Sequence, residues 1–366
     1  MHCDEHWMRR ALTLAARRAG GTWPNPAVGA VLVREGEVVG EGAHEKAGSA
    51  HAEVEALRRA AEKARGSTLY VSLEPCHHTG RTPPCSKALL EAGVSRVVYA
   101  LADRNPRVRG GGGDWLRSQG IAVEEGLMAK GAWELNHAFF ETEGGARAHL
   151  TVKIAMSLDG RMARANRPLK DPGQRRITGE SAHRMVHRMR ARASVILVGR
   201  RTALWDRPAL DVRGVPTLRQ PRRAVIDPHL SLLPDQLGSG HAPWLIFCTK
   251  DAIEERGEPL RAAGNELVAC NAGPNGELEG KEILQHLHQM GLGQVMLEGG
   301  WTTATHFISK GLVDRLHLFC APVLLGGDGG GPALWAGAES RWESYLLRRR
   351  GEDSEWILRK RGLPRI

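Results

Sequence analysis

The sequence has none of the long apolar runs that cross membranes: no stretch in its 366 residues approaches the roughly 18 such residues a bilayer span needs. It also shows no leader pattern. The opening MHCDEHWMRRALTLAARRAG places acids before its basic residues and has no apolar run followed by a small-residue cleavage site, so it reads as an amphipathic helix. Cysteine is scarce, six in all, and Cys3, Cys248, Cys270 and Cys320 are scattered without pattern. A disulfide framework is therefore excluded and a reducing, cytoplasmic location expected. Neither GxGxxG nor GxxxxGK[ST] occurs, and no long internal repeat is present.

Composition is that of an ordinary globular protein, 42% hydrophobic and 25% charged, and the length predicts two domains rather than one core. Charge is unevenly spread. Residues 1–145 hold 18 basic and 18 acidic side chains, so the net charge of +10 falls entirely on the remainder. The stretch 147–223 alone has 19 basic and 5 acidic residues, which suits phosphorylated ligands in the second half. The neutral first half argues against nucleic-acid binding there.

Hydrophobic periodicity predicts alternating strands and helices. In the first half these are a helix over 5–19, strands at 28–33 and 38–42, a helix over 51–64, a strand at 69–73, a helix over 86–91, and strands at 96–102 and 121–123. Residues 103–114, with four consecutive glycines, read as a flexible surface turn, and the polar segment 141–149 as a domain boundary. The second half repeats the α/β pattern. Strands are expected at 150–155, 194–199, 223–227, 244–248, 267–271, 294–297 and 315–322, with helices at 180–192, 280–290 and 302–310.

The run from His51 to Cys85 carries the chemistry. His51-Ala52-Glu53 is followed, after a strand, by Glu74-Pro75-Cys76 and then Pro83-Pro84-Cys85. One imidazole and two thiols make three ligands for a catalytic zinc with one position left for water, and Glu53 is placed to move protons without being a ligand. Ligand thiols must be deprotonated, which helix N-termini favour; His51 is expected to open a helix and Cys85 to stand just before another. The common nucleobase-deaminase signature is PCxxC. Here eight residues separate the two cysteines.

That long loop, HHTGRTPP, together with Pro24-Asn25-Pro26-x-Val28-Gly29 and Asp103-x-Asn105-Pro106, resembles the bifunctional pyrimidine deaminase/reductase family of riboflavin biosynthesis. The resemblance extends over essentially the whole chain. It rests further on Lys153-x-x-x-Ser157-Leu158-Asp159-Gly160-Arg161, on Ile177-Thr178-Gly179, on the block from Val198 to Arg213, and on Glu298-Gly299-Gly300. It implies a cytidine-deaminase-like α/β/α sandwich over 1–145 and a dihydrofolate-reductase-like α/β domain over 149–366. By resemblance, Asn25, His44, His78, Arg81, Asp103 and Asn105 contact the deaminase substrate. Ala155, Arg176, Thr202, Asp206, Gly300, Trp301 and Thr302 would hold NADPH; Gln174, Arg190, Leu210, Arg213 and Glu298 would face the reductase substrate. His77 and Ala30 stand where the family usually has Ser and often has Cys, and Arg176 replaces an aromatic residue near the cofactor, where it could instead favour NADPH through the 2′-phosphate.

The resulting expectation is a hydrolase and an oxidoreductase in one chain, using Zn²⁺ and NADPH on phosphorylated pyrimidine substrates. It is expected to form a homo-oligomer, dimer or tetramer, with no nucleic-acid or membrane partner. Two other readings are a nucleoside or tRNA deaminase with an appended domain, and a nucleic-acid-binding protein with a structural zinc. The long cysteine spacing and the neutral first half weigh against the former. The latter wants a fourth protein ligand, for which only His77 or His78 offers itself.

Overall fold

The structure is a computed structural model that describes residues 3–78, 84–103, 111–142, 147–162, 176–238, 240, 242–326 and 342–360. The chain divides into two compact units, one built on residues 1–144 and the other on residues 145–363. No helix among the described residues is long and apolar enough to cross a membrane.

The first unit runs α1 (Asp4–Arg18), β1 (Gly29–Arg34), β2 (Glu37–Ala43), α2 (Ala52–Ala60), β3 (Thr68–Val71), α3 (Cys85–Glu91), β4 (Arg96–Tyr99), α4 (Gly112–Ser118), β5 (Ala122–Glu125) and α5 (Ala129–Thr142). Its sheet has the order β2-β1-β3-β4-β5. β1 is antiparallel to both its neighbours, while β3, β4 and β5 run parallel. Strand side chains alternate between faces. Ala30 and Leu32 of β1 accordingly pack with α2, α3 and α4, whereas Val31 and Val33 pack with Trp7, Met8 and Ala11 of α1 and Trp133 of α5. Both faces are covered, giving the expected α/β/α sandwich.

Two local expectations change. The helix expected over 51–64 ends at Ala60; Ala61 takes φ 49° and a 3-10 turn finishes the segment. In the segment read as a surface turn, Gly112 and Gly113 instead open α4 and are buried, while residues 104–110 lie outside the described residues. A Cβ at Gly112 would stand 1.6 Å from the Pro75 carbonyl oxygen, so the chain there passes against the segment carrying Cys76.

The second unit runs β6 (His149–Ser157), α6 (Glu180–Arg192), β7 (Val195–Gly199), α7 (Arg200–Asp206), β8 (Arg222–Ile226), β9 (Trp244–Cys248), α8 (Lys250–Ala262), β10 (Glu266–Ala269), α9 (Gly280–Gln289), β11 (Gln294–Glu298), α10 (Trp301–Ser309), β12 (Arg315–Ala321), β13 (Trp342–Arg350) and β14 (Asp353–Lys360). The sheet order is β10-β9-β8-β7-β11-β6-β12-β14-β13. Every pair from β10 to β12 is parallel, and β12, β14 and β13 close the edge antiparallel. The parallel strands are near-continuous apolar runs, as sheets covered on both faces require. β11 is inserted between β6 and β7, so the connections leaving β7 and β11 diverge at their C-terminal ends. In such sheets ligands bind at that place.

Candidate active sites

In the first unit three separate elements bring their side chains to one point. His51 is the extended residue that caps α2, with φ −71° and ψ 160°. Cys76 follows β3, and Cys85 is the first residue of α3. The ligand atoms of His51, Cys76 and Cys85 all lie within 4.8 Å of one another. His51 Nδ1 is 3.2 Å from Cys85 Sγ and 3.5 Å from Cys76 Sγ. Ordinary Zn–N and Zn–S lengths in a tetrahedron put N and S about 3.5 Å apart, so a soft two-sulfur, one-nitrogen donor set of this size fits zinc. The backbone N–H of Cys85 donates to Cys76 Sγ (3.4 Å), an arrangement that favours a thiolate.

The electrostatics agree. Hydrogen bonding from Cys85, then from His51, pushes the Cys76 thiol down to about 4, against its burial. The Cys85 thiol moves the other way, because Cys76 beside it carries the charge. His51 is pushed up to about 9, chiefly by its hydrogen bond to Cys76. Glu53, in the first turn of α2, is buried against Cys85; burial, then the charge on Cys76, lifts its carboxyl to about 7.

Around this cluster His44 is buried, its ring centroid 5.6 Å from that of His51. His44 Nδ1 faces the Ala50 carbonyl (3.1 Å), so that nitrogen bears the proton and Nε2 accepts from Asn25 Nδ2 at 3.0 Å. Burial lowers the His44 pKa, consistent with this neutral tautomer. His78 is exposed next to the cysteine loop. Asp103 is placed by its backbone N–H, which donates to Glu74 Oε2 (3.1 Å). Arg81 and Asn105 lie outside the described residues.

In the second unit the side chains fall into two groups. Thr202, Gly300 and Thr302 line a cavity of about 290 Å³ together with Gly199, Arg200 and Arg201. The Gly300 N–H donates to Thr202 Oγ1 (3.1 Å), and Gly299 has φ +124°, where a Cβ would strike the same hydroxyl at 2.6 Å. The connection from β11 to α10 can therefore press against α7 only with glycine at 299. The second group surrounds Arg190 and Glu298, joined by two hydrogen bonds of 2.6 and 2.9 Å, with the half-buried Lys153 opposite Glu298 on the neighbouring strand. Leu210 is buried with φ 50°, and Arg213 forms an ion pair with Asp211 (3.1 Å).

The remaining expected residues stand outside the lining of the cavity. Ala155 and Trp301 pack against the two cores, Asp206 is exposed at the end of α7, and Arg176 is exposed and acts electrostatically on His183. Gln174 lies outside the described residues.

Comparison with known proteins joins the two units. Residues 1–101 match the family model for the cytidine and deoxycytidylate deaminase zinc-binding region, and residues 148–352 match that for the RibD C-terminal domain. The chain is 42% identical over 325 residues to the riboflavin biosynthesis protein RibD of Aquifex aeolicus, covering 88% of each. It is 40% identical over 354 residues to that of Escherichia coli, covering 92% of each. The chain belongs to the RibD family. Among solved structures, Acinetobacter baumannii RibD is 33% identical with a TM-score of 0.75, covering 97% of this chain and 98% of that one. A Thermotoga maritima diaminohydroxyphosphoribosylaminopyrimidine deaminase/5-amino-6-(5-phosphoribosylamino)uracil reductase is 28% identical with a TM-score of 0.76, covering 98% of both.

Several features of the site appear only in the folded chain. Glu74 accepts from the N–H groups of both Asp103 and Gly113, tying the chain after β4 and the start of α4 to the segment that carries Cys76. His77 bonds Ser86 Oγ (2.8 Å) and stacks on Trp115 at 4.7 Å, which ties the residue after Cys76 to α3 and α4. His183 and His187 share a hydrogen bond of 3.1 Å, and His187 Nδ1 accepts from the Arg213 N–H at 3.0 Å. The i, i+4 spacing of the two histidines was a visible signal; the loop that returns Arg213 to them was not.

Proposed function

We propose that this chain carries out two successive steps of riboflavin biosynthesis, with residues 1–145 as the deaminase and 149–366 as the reductase. The first unit hydrolyses the 2-amino group of 2,5-diamino-6-(5-phosphoribosylamino)pyrimidin-4(3H)-one and releases ammonia. His51, Cys76 and Cys85 hold zinc, which when bound supplies Lewis acidity toward a water molecule. Glu53 takes a proton from the attacking water and returns it to the departing amino nitrogen. Asn25 and His44, locked by their mutual hydrogen bond, position the pyrimidine edge.

The second unit reduces the ribosyl group of 5-amino-6-(5-phosphoribosylamino)uracil to ribityl. NADPH, when bound, would supply the hydride needed at ribose C1′ of the open-chain form. Thr202, Gly300 and Thr302 hold the dinucleotide, and Arg190, Arg213 and Glu298 face the phosphorylated sugar. Of Lys153, Arg190 and Glu298, Lys153 is the member whose proton desolvation makes easier to give up. The enzyme works in the cytoplasm as a homo-oligomer, dimer or tetramer.

The observation that carries this reading is the His51–Cys76–Cys85 cluster with Glu53 buried against it, in a chain matched along its length by RibD proteins. A coupled assay tests it. Wild type and Glu53→Gln are given the diaminopyrimidine ribosyl phosphate with NADPH, and ammonia and NADPH absorbance are followed. Wild type releases ammonia and consumes NADPH. The variant releases none but still oxidises NADPH on pre-deaminated substrate. Ammonia release without NADPH consumption by wild type would reduce the chain to a deaminase with an inactive partner domain.

A further inference from the structure

We propose that Arg200, backed by Arg201, reads the 2′-phosphate of the dinucleotide and makes this chain select NADPH over NADH. The inference rests on the reductase reading of the second unit and goes beyond it by naming the selecting residue.

NADPH and NADH differ only in that phosphate, so discrimination requires a cation at the ribose end of the dinucleotide cavity. The cavity opens at the C-terminal ends of β7, β8 and β11, where Gly199, Ile226 and Gly300 line it. Thr302 and Thr303, in the first turn of the nine-residue α10, line it with backbone N–H groups of the kind that receive a pyrophosphate. The same lining includes Arg200 and Arg201, both exposed. Among the described residues neither arginine forms an ion pair.

Arg200 is nonetheless held in place. Its Nη1 donates to Ser231 Oγ (3.2 Å), and the Ser231 hydroxyl donates to Asp227 Oδ1 (3.0 Å). Asp227 is buried at the end of β8 and also accepts from the Leu232 N–H (2.8 Å). Ser231 thus spends its proton on Asp227 and its lone pair on Arg200, which orients one arm of the guanidinium fork and leaves the rest for a phosphate. The one acid in the lining, Glu277, accepts from the Asn275 N–H (3.1 Å) within its own turn. An acid taking the ribose hydroxyls would favour NADH; here two arginines outnumber it. Arg176 does not line the cavity, so the 2′-phosphate role considered for it on sequence grounds passes to Arg200.

Calorimetric titration of the full chain with 2′,5′-ADP and with 5′-AMP, at low and at physiological salt, tests this. Wild type should bind 2′,5′-ADP at least about tenfold more tightly than 5′-AMP, with the preference narrowing as salt rises. Arg200→Ala should remove about tenfold of affinity for 2′,5′-ADP and leave 5′-AMP within about twofold, while Arg176→Ala changes neither. Equal affinity of wild type for the two nucleotides overturns the proposal, as does a loss that follows Arg176→Ala or Arg201→Ala in place of Arg200→Ala. If wild type binds neither nucleotide, the reductase reading falls and the inference with it. If wild type oxidises NADPH but Arg200→Ala keeps the nucleotide preference, only the inference falls.

Discussion

Arg190 on α6 and Glu298 at the end of β11 grip each other through two hydrogen bonds, 108 residues apart in sequence and both nearly inaccessible to solvent. Lys153, half-buried, stands opposite Glu298 on the neighbouring strand, so one carboxylate balances two cations. Burial would raise the Glu298 pKa, but Arg190 and Lys153 hold it below the ordinary carboxylate value. Replacing Glu298 by Gln leaves two partly desolvated cations acting on each other with no counter-charge. Removing one partner of a buried pair costs about 3–5 kcal/mol, and Lys153 can offset part of this by losing its proton. Glu298→Gln should lower the unfolding temperature of the second unit and abolish NADPH oxidation while ammonia release continues. Unchanged melting together with unchanged reduction would remove Glu298 from the site.

Metal removal separates catalytic from structural zinc. With three protein ligands, the cluster leaves a coordination position for water, and its elements already belong to a packed sandwich core. Chelation should therefore end ammonia release, leave NADPH oxidation of the deaminated substrate intact, and preserve the far-ultraviolet circular dichroism. Cys85→Ser should bind less zinc by metal analysis with the same pattern of activities. Collapse of the first unit on chelation would indicate a structural metal.

How much of this was legible depended on where the chemistry lay in the chain. His51, Glu53, Cys76 and Cys85 sit within one short segment whose residue types have few other joint uses, so the cluster could be named before the fold. The reductase groups are assembled from α6, β6 and β11, and only the sheet order shows that they meet. Elements were missed for equally physical reasons. α8 carries Gly257 and Pro259, which interrupt its apolar stripe, and it is anchored by the Thr249 side chain accepting from the Ala252 N–H. β14 alternates in burial, but Asp353, Glu355 and Arg359 occupy inward positions beside Ile357, so its buried face reads as polar. Glu355 is kept ionised there by His317 and Arg350.

The histidine pair of α6 sets a pH dependence. Burial, then Arg190, pushes His187 down to about 4, and His183 is lowered by burial and by Arg176, Arg190, Lys153 and Arg213. The unfolded chain takes up a proton at each histidine near pH 6.5, whereas the folded chain holds His187 neutral to about 4. Between those values the unfolded state binds more protons, so stability rises with pH and is lost as pH falls. The unfolding temperature of the second unit should drop as pH is lowered from about 6.5 toward 5. In His187→Asn, which can still accept from the Arg213 N–H, the number of protons linked to unfolding should fall by about one. An identical pH slope in the variant would mean that His187 titrates normally.

Gly112, the first residue of α4, packs against the segment that carries Cys76. A Cβ there would stand 1.6 Å from the Pro75 carbonyl oxygen, one residue before Cys76, and backbone on that side cannot rotate away as a flexible side chain would. Glu74 fixes the same junction by accepting from the Gly113 N–H at 3.0 Å. Gly112→Ala should therefore destabilise the first unit by about 1–3 kcal/mol through overpacking. It should also shift Cys76 away from His51, lowering zinc content and ammonia release together while NADPH oxidation is retained. Gly111→Ala, one position earlier at the N-cap of α4, serves as the control for helix propensity alone. Full zinc occupancy and wild-type deamination in Gly112→Ala would show that the Pro75–Cys76 backbone yields without moving the ligand.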